Sequence, residues 1–536
     1  ELKEPKEAVK VLEKLEKAHP AWPRRDEALA LLSRANRDAG DKAAAAAVAE
    51  RLVAEYPASQ SADLAWYRLG QARQDAGRYD DAIKAFTKAR EAKPKGPRAA
   101  ASLLATGWCH EAAGRLDEAE WAWTGVVDGH PDSPSARTAL LARADARQRR
   151  GDFKGGLADA RGVLAKPAAG KADEAAADAL LVEGLCLIGL KDYPPAIAAL
   201  RKRVEQHPQA ARTDRALFEL GAAESLGGRG ADAAKSFAEL VKRFPTSPHA
   251  GDAAFELGEA AWTAGDFAAA AGHYGRAITA AEADPKNPTL AEQARHKLAW
   301  TFVSRGDHAA AAKAFAAQLS AHPAGPLAAD AEAMRGESLF RAGDAAGAAA
   351  AFEKALADPK KLSSADIRGL AAVRAAECAA KLERWEPSLA FADRYLAAEP
   401  SGPQAAQARY AAAWARQNLG RLDEALAGYR AIADASRTDL AARARLMEGE
   451  VLFEQGQHRE AIKAFFKAAY GFGEKEAPAA FHPWQAQATF EAARCFEVLG
   501  QKDKARGLYA ELVDRYPDCQ QTPAARKRLE ALGPGK

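Results

Sequence analysis

Around residues 69–82, LGQARQDAGRYDDA, apolar and polar positions alternate with the three-and-four spacing of helices rather than the two-residue spacing of strands. No Val/Ile/Thr-rich alternation occurs, so an all-helical chain is predicted. Two glycines, Gly70 and Gly77, interrupt this stretch seven residues apart. A helical glycine costs about 1 kcal/mol relative to alanine, so both require a reason.

The interruption recurs. Positions equivalent to Gly77 are Gly40, Gly114, Gly151, Lys191, Gly228, Gly265, Gly306, Gly343, Glu383, Gly420, Gly456 and Gly500, mostly 37 residues apart. Seven residues before each turn stands a small residue, from Ser33, Gly70 and Gly107 through to Gly449 and Ala493. Five residues after each turn stands another, from Ala45 and Ala82 to Ala505, with Gly156 and Ser388 among them. Nine after the turn most units carry a large residue, such as Phe86, Trp123, Tyr274, Phe352 or Tyr509, and a proline commonly follows the second helix (Pro57, Pro94, Pro131, Pro208, Pro245, Pro323, Pro400, Pro517). The turn residue is predicted to adopt positive φ and end a first helix. The two small columns are predicted to let paired helices approach closely, with the large residue filling the gap.

Thirteen helix pairs follow from this register. Residues 1–23 read as the second helix of a truncated unit, 24–517 as the tandem pairs, and 518–536 as a capping helix, which a stacked array requires. The protein is expected to extend upstream; no signal peptide is visible, but the chain opens on Glu1 rather than Met, so this says nothing about targeting.

In the second unit Trp66, Leu69, Gly70, Tyr79, Ala82, Phe86, Ala89 and Pro94 sit at the signature spacing of the tetratricopeptide repeat, which the chain resembles over essentially its whole length. The resemblance implies an all-α solenoid, a right-handed superhelix of antiparallel helix pairs whose first helices line a concave face and hold other proteins. The stretches between units, such as HPDSPSARTALL and FPTSPHAGDAAFELG, look like those of bacterial cell-envelope members of the family, the outer-membrane-assembly lipoproteins and Tol–Pal accessory proteins. They imply an envelope or periplasmic location, with the cytoplasm as the alternative.

Composition changes this picture little. Alanine-rich sequence favours many thin, closely packed helices. The net charge of +3 is interspersed, and the clusters RQRRG (147–151) and ARKRLE (525–530) read as solvated helix faces, so no nucleic-acid partner is expected. No run of eighteen apolar residues exists, so no membrane span is expected.

No catalytic chemistry is expected. Cys109, Cys186, Cys378 and Cys495 share one helix column with alanines and read as core fillers, while Cys519 lies in a linker. The cysteines lack CxxC or metal-ligand spacing, and no cofactor or metal is predicted. His130, His207 and His322 precede prolines and read as aromatic-sized helix ends; GGRGAD (227–232) is a turn without the strand or lysine of a phosphate loop. The repeats leave no segment for a catalytic domain.

What remains is the first-helix face. Positions ten, six and three before the turn form one stripe. There the chain carries Glu259, Trp300, Glu337, Glu377, Trp414 and Glu450, flanked by Phe218, Phe255, Trp262, Phe340, Tyr410 and Phe453. This predicts an aromatic and acidic groove for protein or peptide partners, favouring basic or extended segments. The asparagines and lysines with which some family members hold a carboxylate tail are missing from these positions, so that subclass is set aside. Two further roles stay open, a carbohydrate-associated part of a polysaccharide exporter and the recruiting arm of an enzyme whose catalytic domain lies upstream. The insertion AYGFGEKEAPAAFHPW (469–484) reads as a spacer, with a docking loop as the alternative.

Overall fold

A computed structural model describes residues 4–57, 59–166, 173–283, 287–473 and 477–533. Among them are 28 α-helices and no strand. They form thirteen helix pairs with one helix before (Pro5–Ala18) and one after (Thr522–Leu532).

The second unit shows how a pair is built. Its first helix, Ala62–Asp75, ends where Gly77 turns to φ +75°. The Gly77 N–H donates to the Gln74 carbonyl at 3.0 Å and the Arg78 N–H to the Arg73 carbonyl at 2.9 Å. These two bonds satisfy carbonyls that the helix end leaves open, and they need a left-handed residue between them. The second helix, Tyr79–Ala92, ends two residues before Pro94. All thirteen turn positions have positive φ, Lys191 (60°) and Glu383 (56°) included. Where aspartate follows the turn glycine, as at Asp41, Asp307 and Asp344, its carboxylate accepts a backbone N–H of the second helix and caps it.

The small columns face each other across each pair. In the first unit Ser33 Oγ donates to the Ala45 carbonyl at 2.8 Å; in the tenth the mirror bond runs from Ser388 Oγ to the Ala376 carbonyl at 2.9 Å. The large residue nine after the turn lies over the small one seven before it. A Cβ on Gly70 would stand 2.6 Å from the Phe86 ring, one on Gly258 2.5 Å from Tyr274, and one on Gly449 2.4 Å from Phe465. Phe86, Trp123, Tyr274, Phe315, Phe352, Tyr429, Phe465 and Tyr509 are all fully buried.

Linkers are tied back one repeat. Ser247 Oγ donates to Asp214 Oδ2 at 2.6 Å, and buried Asp63 takes Arg98 at 2.8 Å and Lys93 at 3.3 Å. In the fifth unit Arg203, fully buried, donates to the carbonyls of His207 and Ala211 at 2.7 Å each. Longer spacings are absorbed by longer first helices, such as Pro288–Ser304, Ala365–Lys381 and His482–Val498. His130, His207 and His322 are C-cap residues, and the four column cysteines are buried with their thiols pushed up by desolvation.

Residues 1–257 form one compact half and 258–536 another, dividing the seventh unit. In the N-terminal half the cores include Leu181, Leu200, Phe237 and Leu257; in the C-terminal half the largest joins Tyr429, Phe465 and Ile462.

Candidate functional site

The first helices supply the stripe, and the rings nine after the turn hold it in place. Phe237 packs 5.9 Å from Phe218, Tyr429 5.6 Å from Tyr410, and Phe315 edge-on at 6.4 Å from Trp300. The same rings fill the gaps over the small column, so core packing and stripe geometry are set by one residue. Trp414 is instead propped edge-on by Trp385 at 5.4 Å, and Trp262 by Phe267 at 5.2 Å. Phe218 also stacks on His249 at 5.1 Å.

Cations cover several of these rings. The Arg374 guanidinium lies 4.5 Å and the Lys381 ammonium 4.3 Å from the Phe340 ring centre, and Arg494 sits 5.3 Å from Phe453. Arg443 is held between Tyr410 at 4.5 Å and Trp484 at 5.2 Å. Tyr410 is only 6% exposed, and burial pushes its phenol up to about 12. Phe255 is half-buried.

Three of the four glutamates are neutralised within the chain. Glu259 takes Lys297 Nζ at 2.9 Å and also accepts the Tyr274 hydroxyl. Glu337, 5% exposed, takes Arg341 at 2.6 Å and Arg374 at 3.0 Å, and Arg374 continues to Glu377 at 2.6 Å. Glu450 differs. Burial, with the charges of Glu491 and Glu454, pushes its carboxyl up to about 7, against the weaker opposing pull of Arg494 and Arg443. The stripe is therefore an interleaved lattice of rings, arginines and carboxylates rather than a plain acidic groove.

The imidazole of His296 is fixed on the same face. Trp300 Nε1 donates to its Nε2 at 2.9 Å, its Nδ1 donates to Gln318 Oε1 at 3.1 Å, and burial holds it neutral. One stripe residue was not singled out from the sequence. Trp108, six before the third turn, is 37% exposed and meets Trp123 edge-on at 5.3 Å. The signal was its offset, which matches that of Trp300 and Trp414.

Among the described residues no three His, Cys, Asp or Glu side chains gather as a metal site would require, and no helix is long and apolar enough to cross a membrane. In the insertion the helix ends at Tyr470, Phe472 stacks on Phe481 at 5.7 Å, and the next helix starts at His482; residues 474–476 lie outside the described residues.

Tetratricopeptide repeat family models match residues 1–59, 67–134, 215–288, 296–363, 410–480 and, with a second model, 487–518. This chain belongs to the tetratricopeptide repeat family. Repeats of this family act as scaffolds that bind protein or peptide partners. No curated protein matches the chain. Among solved structures it is similar to a tetratricopeptide repeat protein from Parabacteroides merdae (15% identity, 50% of this chain and 98% of that one, TM-score 0.36). It is also similar to the C-terminal part of a repeat protein from Cytophaga hutchinsonii (17% identity, 49% and 98%, TM-score 0.41). A third is YrrB, described as a tetratricopeptide repeat protein with an unusual peptide-binding site (19% identity, 40% and 98%, TM-score 0.31).

Proposed function

We propose that this tetratricopeptide repeat chain is a non-catalytic docking scaffold whose first-helix face receives extended or helical segments of other proteins. One observation carries the reading. The tryptophans six before the turn (Trp108, Trp300 and Trp414) are each propped edge-on by a neighbouring ring and left partly exposed. A fixed, amphipathic ring loses little conformational freedom on binding, which is why such rings dominate interface energetics.

The proposed binding residues are Phe218, Phe255, Glu259, Trp262, Trp300, Glu337, Phe340, Glu377, Tyr410, Trp414, Glu450 and Phe453. Of the carboxylates, Glu450 is the one with spare capacity for a basic group of the partner, since Lys297, Arg341 and Arg374 engage the others. Docking is multivalent, many modest contacts adding along the stripe. A bacterial envelope assembly is the proposed setting, supported by the style of the inter-unit stretches.

The test is recovery of partners from an envelope extract by wild type and by a Trp300→Ala/Trp414→Ala variant of unchanged helicity. Loss of most partners in the variant is expected. Equal recovery places docking on another face. Selective retention by a polysaccharide matrix points instead to the export role.

A further inference from the structure

Ten residues before the turn, where Tyr67, Phe218, Phe255, Tyr410 and Phe490 stand in other units, the eighth unit carries His296. The imidazole keeps the packing of those rings: it meets Phe315 at 5.6 Å, much as Phe218 meets Phe237 at 5.9 Å. What it adds is polar. One helical turn on, Trp300 Nε1 donates to His296 Nε2 at 2.9 Å. An indole N–H only donates, so Nε2 is bare and the ring proton sits on Nδ1, 3.1 Å from Gln318 Oε1.

Gln318 is placed for that bond. It stands twelve after its turn, where Ala89, Val126 and Leu240 are apolar, and it is fully buried. Its Nε2 has no acceptor. Turning the amide over would set an N–H against the Nδ1–H, so one donor is left unmet in order to present the oxygen. The chain Trp300–His296–Gln318 therefore runs from the stripe into the core with a single polarity. Burial disfavours the imidazolium most and puts its pKa below the ordinary 6.5; Lys297 works the same way, against Gln318, Asp330 and Glu292. Lys297 is itself held by Glu259, and Glu282 on the preceding helix engages Arg295.

We propose that His296 is a positioning residue of the docking stripe: its neutral ring locks the Trp300 indole for partner segments, and its protonation releases that indole. The inference rests on the reading of the stripe as a docking face. A proton from solvent adds at Nε2, the one bare ring nitrogen. Both nitrogens then donate, Gln318 keeps its bond, and the Trp300 N–H loses its acceptor and faces a like N–H. Docking at Trp300 therefore weakens in acid. Trp414 stands four after Tyr410 rather than a histidine and keeps its support from Trp385.

The experiment follows the indole N–H signals of the whole chain, labelled with nitrogen-15 tryptophan, from pH 8 to pH 4; the Trp300 signal is the one missing from Trp300→Phe. It should shift with a midpoint below 6.5. At pH 8 its N–H should exchange with water about fivefold more slowly than in His296→Phe, which keeps a ring against Phe315 without an acceptor. His296→Gln, whose amide accepts from Trp300 and donates to Gln318, should hold the bond at every pH. Partners recovered from envelope extract by wild type and lost in Trp300→Ala should also be lost to wild type in acid, and retained by His296→Gln. A Trp300 signal that ignores pH, or that exchanges alike in wild type and His296→Phe, overturns the proposal, as does equal recovery by wild type at both ends of the pH range. Should His296→Phe not fold, wild type against His296→Gln decides. A signal that titrates as expected, with no Trp300-dependent partner recovered at pH 8, overturns the docking reading and leaves the lock standing.

Discussion

A Cβ on Gly107 would stand 2.1 Å from Nε1 of Trp123, closer than any real side chain comes. The indole also donates to the Leu104 carbonyl at 3.3 Å, so it is held against the helix that the glycine opens. Gly107→Ala is expected to lower stability by about 1–3 kcal/mol through overpacking. The tenth unit pairs Ala376 with Ala392 at the same two positions. Adding Trp123→Ala to Gly107→Ala should therefore cost less than the two single changes summed, by chemical denaturation. Additive losses would mean that the two positions do not share one space.

Lys191 and Glu383 sit at φ 60° and 56° in turns where the other eleven units use glycine. The left-handed region costs a side-chain-bearing residue about 1–2 kcal/mol. Lys191→Gly and Glu383→Gly are each expected to stabilise the chain by about 1 kcal/mol, less the entropy glycine adds to the unfolded state. Equilibrium urea melts check this. Gly77→Ala should shift the midpoint the other way.

Glu450 gives a pH signature. Its folded carboxyl titrates near 7 and its unfolded one at the ordinary value of 4.5. Between these values the unfolded chain has released a proton that the folded chain still holds, so stability falls as pH rises through the window. The contribution is fully present below about 4.5 and lost above about 7. Glu450→Gln should therefore raise Tm at pH 8 and leave it near wild type at pH 4. A variant whose Tm follows the wild-type curve across the window would show that Glu450 carries no shifted proton.

Arg203 stands twelve after its turn, where other units carry Ala89, Val126, Val163 or Leu240. Its guanidinium serves two linker carbonyls and the Thr213 hydroxyl, without a carboxylate. Arg203→Leu restores the apolar norm yet leaves those carbonyls unsatisfied, so it should cost about 1–3 kcal/mol. A neutral outcome in thermal melts would mean that water replaces the guanidinium without loss.

Much of the fold was legible in the sequence because its determinants are local. The turn glycines, the two small columns, the large residue between them and the prolines lie within one unit, and each is visible as a fixed offset from the turn. The stripe was legible as positions but not as surroundings. Arg374 reaches Phe340 and Glu337, and Arg443 reaches Trp484, from first helices of neighbouring units more than thirty residues away. Which cation covers which ring depends on the packing of successive units, which composition and periodicity leave open.

Cys109, Cys186, Cys378 and Cys495 are sealed at the seams of the third, fifth, tenth and thirteenth units. Modification by an aqueous thiol reagent then requires each seam to part, so the rate at each sulfur counts the breathing of its own neighbourhood. The chain thus carries four internal stopwatches. They would tell whether it comes undone from its ends inward, as a nearest-neighbour array should, or in one concerted step.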